Sequence, residues 1–167
     1  KGINRLLESP QYGEQWGRHW LDVVRYSDTA GYSNDFERSN AWRYRDYLIR
    51  SFNNDKPYDQ FVAEILTATG SQRENPPTVW YRQVRTSADY VESVAQAFLG
   101  VRIQCAQCHH HPFERWSQSD YYGLAAVFSR VGRRGGFADA EVPTNERIYV
   151  RSDGEVHHPR TGRLIPP

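Results

Sequence analysis

The sequence predicts a mainly α domain of about five helices, with a short β-hairpin or an extended arm at its C-terminus. Apolar residues recur at helical spacing in successive segments of the first two-thirds of the chain. Residues that favour helix ends, such as Ser-Pro at a start and Gly after an end, separate these segments. The length of 167 residues fits one domain with a sizeable core.

The first long helix is predicted to begin at Ser9 and Pro10, an N-cap and N1 pair, and to run to about Tyr26. A polar, Gly-containing loop is expected over 27–39. A second helix over 40–52 follows, and its predicted buried residues are Trp42, Leu48, Ile49 and Phe52.

A third helix is expected after Pro57, with Gly70 near its end, and its predicted inward residues are Phe61, Val62, Ile65 and Leu66. The segment 71–85 contains two adjacent prolines and is expected to be irregular. The fourth helix is predicted over 87–99, with Gly100 after its end. Its predicted inward residues are Val91, Val94, Ala95, Phe98 and Leu99.

A short helical turn is predicted over 104–109. Ser117 and Asp120 then match the S-x-x-D capping pattern, which predicts a fifth helix over 118–130. The inward residues of that helix are expected to be Tyr121, Leu124, Ala125 and Phe128.

The composition changes after Gly132, which predicts a helical domain over 1–132. The segment 133–167 is expected to hold a basic, Gly-rich stretch, a hairpin and a linker arm, packed on the same domain. Asp153-Gly154 is the hairpin signal.

Charge and cysteine usage exclude several classes of protein. Lys and Arg number 21 and Asp and Glu number 20, so the net charge is +1. This balance argues against a general nucleic-acid or membrane-surface protein. No apolar run approaches the ~20 residues of a membrane span, and two cysteines are too few for a disulfide scaffold. Because Lys1 is not a methionine, we expect a partial or processed chain, so the lack of a targeting segment in this sequence excludes no destination.

Both cysteines belong to Cys105-Ala106-Gln107-Cys108-His109, the C-x-x-C-H pattern of c-type haem attachment. Two thiols three positions apart on a helical turn can form thioethers to the two haem vinyl groups. His109 would then bind the iron as the proximal ligand. The motif therefore predicts covalent haem c in a pocket among the helices.

Other interpretations of the same residues stay open. Cys105 and Cys108 are compatible with a redox pair, although no βαβ pattern surrounds them. They are also compatible with a zinc site that includes His109 and His111, although these four residues lie close together for a tetrahedral shell. A plain disulfide in an exported protein is a further alternative.

The identity of the sixth iron ligand is limited by the absence of methionine, because a His/Met haem cannot be built from this chain alone. His19, between two tryptophans on the first long helix, is the preferred distal ligand. The alternative for His19 is a core histidine that pairs with Asp22 or Asp46. His111 is expected to contact a haem propionate or to fix its loop. His157 and His158 are expected to be solvated, unless the arm folds back.

Trp16 and Trp20 are predicted to contact the haem, on either side of His19. A wider aromatic set suits a low-dielectric haem pocket, although such residues are more often ordinary core: Trp42, Trp116, Tyr121, Tyr122 and Phe113. Calcium binding by Asp28, Asn34 and Asp35 in the first loop is a further possibility, and a solvated loop is the expected alternative.

Three stretches of this sequence resemble one protein family. They are LLESPQYGEQWGRHWLDVVRYSDTAGY, NAWRYRDYLIRSFNNDKPYDQFVAEIL and FLGVRIQCAQCHHHPFERWSQSDYYGLAAVF. The resemblance as a whole extends over about residues 3 to 131. The chain is similar to the cytochrome-type domain abundant in planctomycetes, a family of unknown function. The resemblance implies export in a longer parent polypeptide, haem c at Cys105 and Cys108, and His109 as a ligand. It implies no reaction.

These observations lead to the expectation of an exported, periplasmic or cell-surface haem c domain that transfers electrons. The expected partners are other domains of the parent polypeptide and an unidentified redox partner, with no nucleic acid. Bis-histidine coordination by His109 and His19 is the preferred arrangement. A five-coordinate haem enzyme, in which Arg18, Tyr26 or His111 acts as acid or base, is the first alternative. A structural module with a Cys105–Cys108 disulfide or metal clip is the second.

Overall fold

A computed structural model describes residues 2–29, 35, 37–135 and 146–166. These residues are about 51% helical, with seven α-helices and a small antiparallel sheet near the C-terminus. The predicted mainly α class is therefore confirmed. In the same ranges, no helix has the length and apolar character needed to cross a membrane.

The chain forms two compact units. The first consists of Lys1–Gln83 and Arg133–Ile148, and the second of Val84–Gly132 and Tyr149–Pro167. Asn34, Gly136 and Phe137, which were part of the predicted loop and basic stretch, lie outside the described residues. The predicted division of the chain after residue 132 stays a prediction.

The first unit contains the helices α1 (Gly2–Leu7), α2 (Gln11–Val23), α3 (Trp42–Asn53), α4 (Tyr58–Leu66) and α5 (Trp80–Gln83). The start of α2 agrees with the prediction, because Pro10 has a helical φ of −55° and Ser9 Oγ accepts the backbone N–H of Gln11 at 3.3 Å. The helix ends before Tyr26, and the chain leaves it through Arg25, whose φ is 54°. α1 was not predicted.

The buried face of α3 differs from the predicted one. Its buried residues are Tyr44, Tyr47, Leu48 and Ser51. Trp42 is 43% exposed, with the Arg43 guanidinium 4.5 Å from the ring centroid, so its predicted burial is wrong. The face repeats at i, i+3, i+4 and i+7 from residue 44, and the weakly polar tyrosines concealed this register.

The segment 71–85 is not irregular throughout, so this prediction is partly wrong. A 3₁₀-helix over Pro76–Val79 continues into α5. Prolines suit the first positions of a helix, because those positions need no intrahelical N–H bond. The segment contributes buried side chains to the first unit, namely Pro77, Thr78, Val79, Trp80 and Tyr81.

The second unit contains α6 (Ser87–Val94), a π-helical turn (Ala95–Leu99), a 3₁₀-helix (Ile103–Gln107) and α7 (Gln118–Phe128). The fourth predicted helix therefore has the expected extent, but its last turn is π-helical. Gly100 has a left-handed φ of 67° and ends it as predicted. Leu99, expected to be buried, is 51% exposed at the end of this turn, so its predicted burial is wrong.

The strands are short: β1 (Gly70–Ser71), β2 (Val131–Arg134), β3 (Arg147–Val150), β4 (Val156–His157) and β5 (Leu164–Ile165). The predicted hairpin around Asp153-Gly154 is wrong, because β3 pairs with β1 and β4 pairs with β5. Gly154 has φ 152°, and a Cβ there would lie 2.7 Å from the Ser129 carbonyl oxygen. This glycine permits a close backbone approach to the end of α7.

Capping boxes open both long helices of the second unit. Ser117 Oγ accepts the Asp120 N–H at 3.1 Å, and the Asp120 carboxylate accepts the Ser117 N–H at 2.8 Å. Thr86 and Asp89 form the same pair before α6. The predicted S-x-x-D start is therefore confirmed.

We expect these boxes to make stability depend on acid pH. Hydrogen bonds from the Ser117 backbone and hydroxyl lower the pKa of Asp120, and those of Thr86 lower the pKa of Asp89. The stabilisation is fully present above the unfolded pKa of about 3.9 and is lost as the pH falls through the folded pKa. Between pH 7 and pH 3, the free energy of unfolding measured in urea should fall less for the D89N/D120N double variant than for the unchanged protein. Ser117→Ala should lower the free energy of unfolding by about 1 kcal/mol at pH 7. If the fall between pH 7 and pH 3 were equal in the unchanged protein and in these variants, the acid dependence would not come from the capping boxes.

Candidate functional site

The C-x-x-C-H segment, called the thiol turn below, begins in the 3₁₀-helix Ile103–Gln107 and continues through Cys108, which directly follows that helix. Ile103 and Ala106 are fully buried, whereas Cys105 and Cys108 are both exposed and are not joined by a disulfide. Residues at i and i+3 eclipse each other in a 3₁₀ turn. Because Ile103 and Ala106 occupy the buried side of this helix, Cys105 lies on its exposed side, and Cys108, directly after the helix, is exposed as well.

The apolar face of this turn is held by the core of the second unit. Ile103 and Ala106 pack in one cluster with residues of α6, the π-helical turn and α7, namely Val91, Ala95, Tyr121 and Ala125. Gln118 Nε2 donates to the Gln107 carbonyl at 2.9 Å, and Gln104 Nε2 donates to Glu92 at 3.2 Å. These bonds fix both ends of the turn, so the thiols sit on a rigid base.

His109 is exposed, and its tautomer is defined by a backbone contact. Its Nδ1 lies 2.6 Å from the carbonyl oxygen of His110. A carbonyl only accepts, so Nδ1 carries the hydrogen, and the neutral ring carries its lone pair on Nε2. Metal-binding histidines typically show this arrangement, in which the second ring nitrogen donates to a carbonyl or carboxylate.

His111 uses both ring nitrogens within its own loop. Nε2 lies 3.1 Å from the Arg102 carbonyl and therefore donates to it. Nδ1 accepts the backbone N–H groups of Phe113 and Glu114, at 3.3 Å and 2.9 Å. These contacts agree with the expectation that His111 fixes its loop. Its predicted cofactor contact stays a prediction.

His19 belongs to the first unit, whereas Cys105–His109 belongs to the second. Its side chain is exposed, so the alternative of a core histidine is wrong. Gln15 Nε2 donates to His19 Nε2 at 3.2 Å, which places the ring lone pair on Nε2. His158, in the second unit, instead uses Nδ1 to accept the Arg160 N–H at 3.2 Å. The pairing of His19 with His109 at one iron stays a prediction.

Trp16 and Trp20, the other predicted haem contacts, have different surroundings within the first unit. Trp20 Nε1 donates to the Tyr44 hydroxyl at 3.1 Å, and its ring lies edge-on to Phe61 at 4.9 Å. Trp16 is 48% exposed, lies 5.6 Å from the His19 ring and lines an open groove of about 580 Å³. Their haem contacts also stay predictions.

No group of three or more His, Cys, Asp or Glu side chains able to hold a metal ion occurs within the described ranges. The zinc arrangement of Cys105, Cys108, His109 and His111 is therefore absent there. For the calcium hypothesis, Asp28 accepts the Tyr26 hydroxyl at 2.6 Å, and Asn34 lies outside the described residues. The described residues therefore add no contact that supports either the zinc site or the calcium site.

Tyr121 packs against the thiol turn in the core of the second unit, and it was predicted as an inward residue of its helix and as a member of the wider aromatic set. Its side chain is 1% exposed, and its hydroxyl has no hydrogen-bond partner among the described residues. Burial raises the pKa of Tyr121 to about 12, with smaller contributions from Glu92, Tyr122, Asp89 and Cys108. No sequence signal distinguishes such a hydroxyl from a satisfied one.

We expect Tyr121→Phe to preserve the free energy of unfolding or to raise it by about 1 kcal/mol, because a buried hydroxyl without a partner is costly. The matched change Tyr44→Phe should lower it by about 1 kcal/mol, because Tyr44 accepts the Trp20 indole N–H. Urea unfolding of both variants measures the difference. A destabilised Tyr121→Phe would mean that this hydroxyl has a partner in solution.

The fold and the site define a mainly helical protein that presents two thiols and a histidine on one exposed turn. Residues 1–133 match the family model described as PSCyt2, a protein of unknown function (DUF1549), and the chain belongs to this family. No curated protein matches the chain, and no solved structure matches it.

Proposed function

We propose that the chain is an exported haem c-binding domain that transfers electrons, with His109 as the proximal iron ligand. The observation that supports this most is the thiol turn, in which Cys105 and Cys108 are both exposed and lie directly before the exposed His109. When bound, haem supplies a reversible one-electron change at its iron. The resemblance to the planctomycete cytochrome-type domain supports the same function and supports export.

The three residues have separate tasks in this proposal. Each thiol would add its S–H across one vinyl C=C bond of the haem, with sulfur bonding to one carbon and hydrogen to the other. No atom would leave, and no net electron would be transferred. His109 would offer its Nε2 lone pair to iron, while the His110 carbonyl accepts the Nδ1 hydrogen and orients the ring.

We propose a second histidine as the sixth ligand, because the chain has no methionine. His19 is preferred, because its Nε2 lone pair accepts a hydrogen bond from the exposed Gln15 side chain, which iron would replace. His111 donates through Nε2, and its lone pair on Nδ1 is engaged by two backbone N–H groups. Two nitrogen ligands would give a lower reduction potential than a His/Met pair.

The test is expression of the protein with export in a host that attaches haem c to a control cytochrome. An intact-mass gain of one haem and a pyridine haemochrome of the c type are expected. Both should be lost in Cys105→Ala/Cys108→Ala. An unmodified mass in the unchanged chain, with the control cytochrome fully loaded, would refute haem attachment.

The sixth ligand is tested separately by the visible spectrum of the loaded protein. His19→Ala should convert a low-spin spectrum to a high-spin one. An unchanged low-spin spectrum would remove His19 from the iron. A high-spin spectrum in the unchanged protein that responds to cyanide or peroxide would favour the enzyme alternative.

A further inference from the structure

Phe113 is 90% exposed, the most exposed of the large hydrophobic side chains in the described ranges. Burial of a phenylalanine side chain is worth about 1.5–3 kcal/mol, so its display in water forfeits a large stabilisation. A single exposed apolar residue is ordinary on a protein surface. Whether the exposure of Phe113 has a functional reason therefore depends on how its loop is held.

The loop that bears Phe113 is held in place by His111. The imidazole accepts the backbone N–H of Phe113 itself and that of Glu114, and it donates to the Arg102 carbonyl just before the thiol turn. The backbone N–H of His111 also donates to the Trp116 carbonyl at 2.8 Å. Trp116 in turn packs on the core cluster beneath the thiols.

The same loop begins directly after the proposed iron ligand. Phe113 follows His109 by four residues, so the two Cα atoms lie at most about 14 Å apart. The Phe113 ring stands edge-on to His111, with 6.4 Å between ring centroids. An aromatic ring is thus presented to solvent from a hydrogen-bonded frame beside the thiol turn.

We propose that Phe113 is an apolar contact of the haem attached at Cys105 and Cys108, and that His111 is the positioning residue that presents it. This inference rests on the proposed function. A porphyrin is favoured over a partner protein because the frame is hydrogen-bonded to the Arg102 carbonyl, directly before the thiol turn, and to that of Trp116, which packs on the same core cluster. Aromatic side chains bring large contact areas to such positions.

The experiment uses the haem-loaded protein in its reduced, diamagnetic state. Nuclear Overhauser effects between Phe113 ring protons and haem protons are expected. They should disappear in His111→Ala, although the haem mass is retained. Phe113→Ala should lower the reduction potential, because water then reaches the haem and favours the more charged, oxidised form. Phe113→Leu should restore most of this shift.

Val127→Ala is the matched control, since Val127 is an exposed apolar residue of α7 in the same unit, and it should leave the potential unchanged. The inference is overturned if the loaded protein lacks these Overhauser effects and if Phe113→Ala changes the reduction potential no more than Val127→Ala does. The proposed function would still hold in that case. A defect limited to reduction by a separate redox protein also overturns it, in favour of a protein contact. Failure of haem attachment overturns both.

Discussion

Replacing His109 with alanine should abolish the low-spin visible spectrum of the loaded protein. The His109 Nε2 lone pair is the only proximal nitrogen that this proposal offers to iron, and alanine has no replacement for it. The thioethers depend on Cys105 and Cys108, so the haem mass of any loaded variant should be unchanged. Visible and electron paramagnetic resonance spectra measure the loss, and added imidazole should restore the low-spin state.

His110→Ala is the matched control for this change. His110 is the next residue and is also exposed. Its contribution to His109 comes from the backbone carbonyl, which alanine retains, so the spectrum should stay low-spin. If His110→Ala removed the low-spin state and His109→Ala preserved it, the proximal ligand would be wrongly assigned.

Gly13→Ala should cause a large loss of stability for the addition of one methyl group. Gly13 faces α3, and its N–H donates to Asn53 Oδ1 at 2.8 Å. A Cβ at this position would clash with the Ile49 carbonyl and lie 2.7 Å from Asn53 Cγ. Because the Ile49 oxygen is a backbone atom, the two helices must separate, and we expect a cost of about 3 kcal/mol.

Gly17→Ala gives the comparison one turn further along α2. Gly17 is also buried, but the atom nearest to its added Cβ is Ile49 Cγ1 at 3.5 Å, an ordinary contact. Alanine favours the helix over glycine by about 1 kcal/mol, so this variant should be as stable as the original or more stable. Thermal and urea unfolding measure both variants. Equal effects would show that α2 and α3 do not approach closely at Gly13 in solution.

Local signals in the sequence predicted most of the helices. Ser-Pro, the S-x-x-D box and Gly100 act through contacts within a few residues, so α2, α7 and the end of the fourth helix agree with the structure. Trp42 and the Asp153-Gly154 signal failed for another reason. Their outcome depends on which face of a helix packs and on which strands pair, and both are decided by residues distant in the sequence.

The candidate site divides in the same way. The cysteines and His109 form a contiguous motif, so their identity and order could be predicted. The His110 carbonyl as the acceptor for His109, and the two engaged nitrogens of His111, depend on loop geometry. The spacing of residues in a sequence does not predict which backbone groups a side chain will bind. The hydrogen-bonded loop around Phe113 could therefore not be predicted.

The buried and exposed sides of the thiol turn have a consequence for the order of folding and of the proposed haem attachment. Ile103 and Ala106 complete the core of their unit with side chains alone, while Cys105 and Cys108 stay on the outside. If haem is attached as proposed, the thiols would be modified on the surface of a unit whose core needs no haem contact at Ile103 and Ala106. Haem attachment would then be a surface modification, and quality control based on unfolding would let haem-free copies pass.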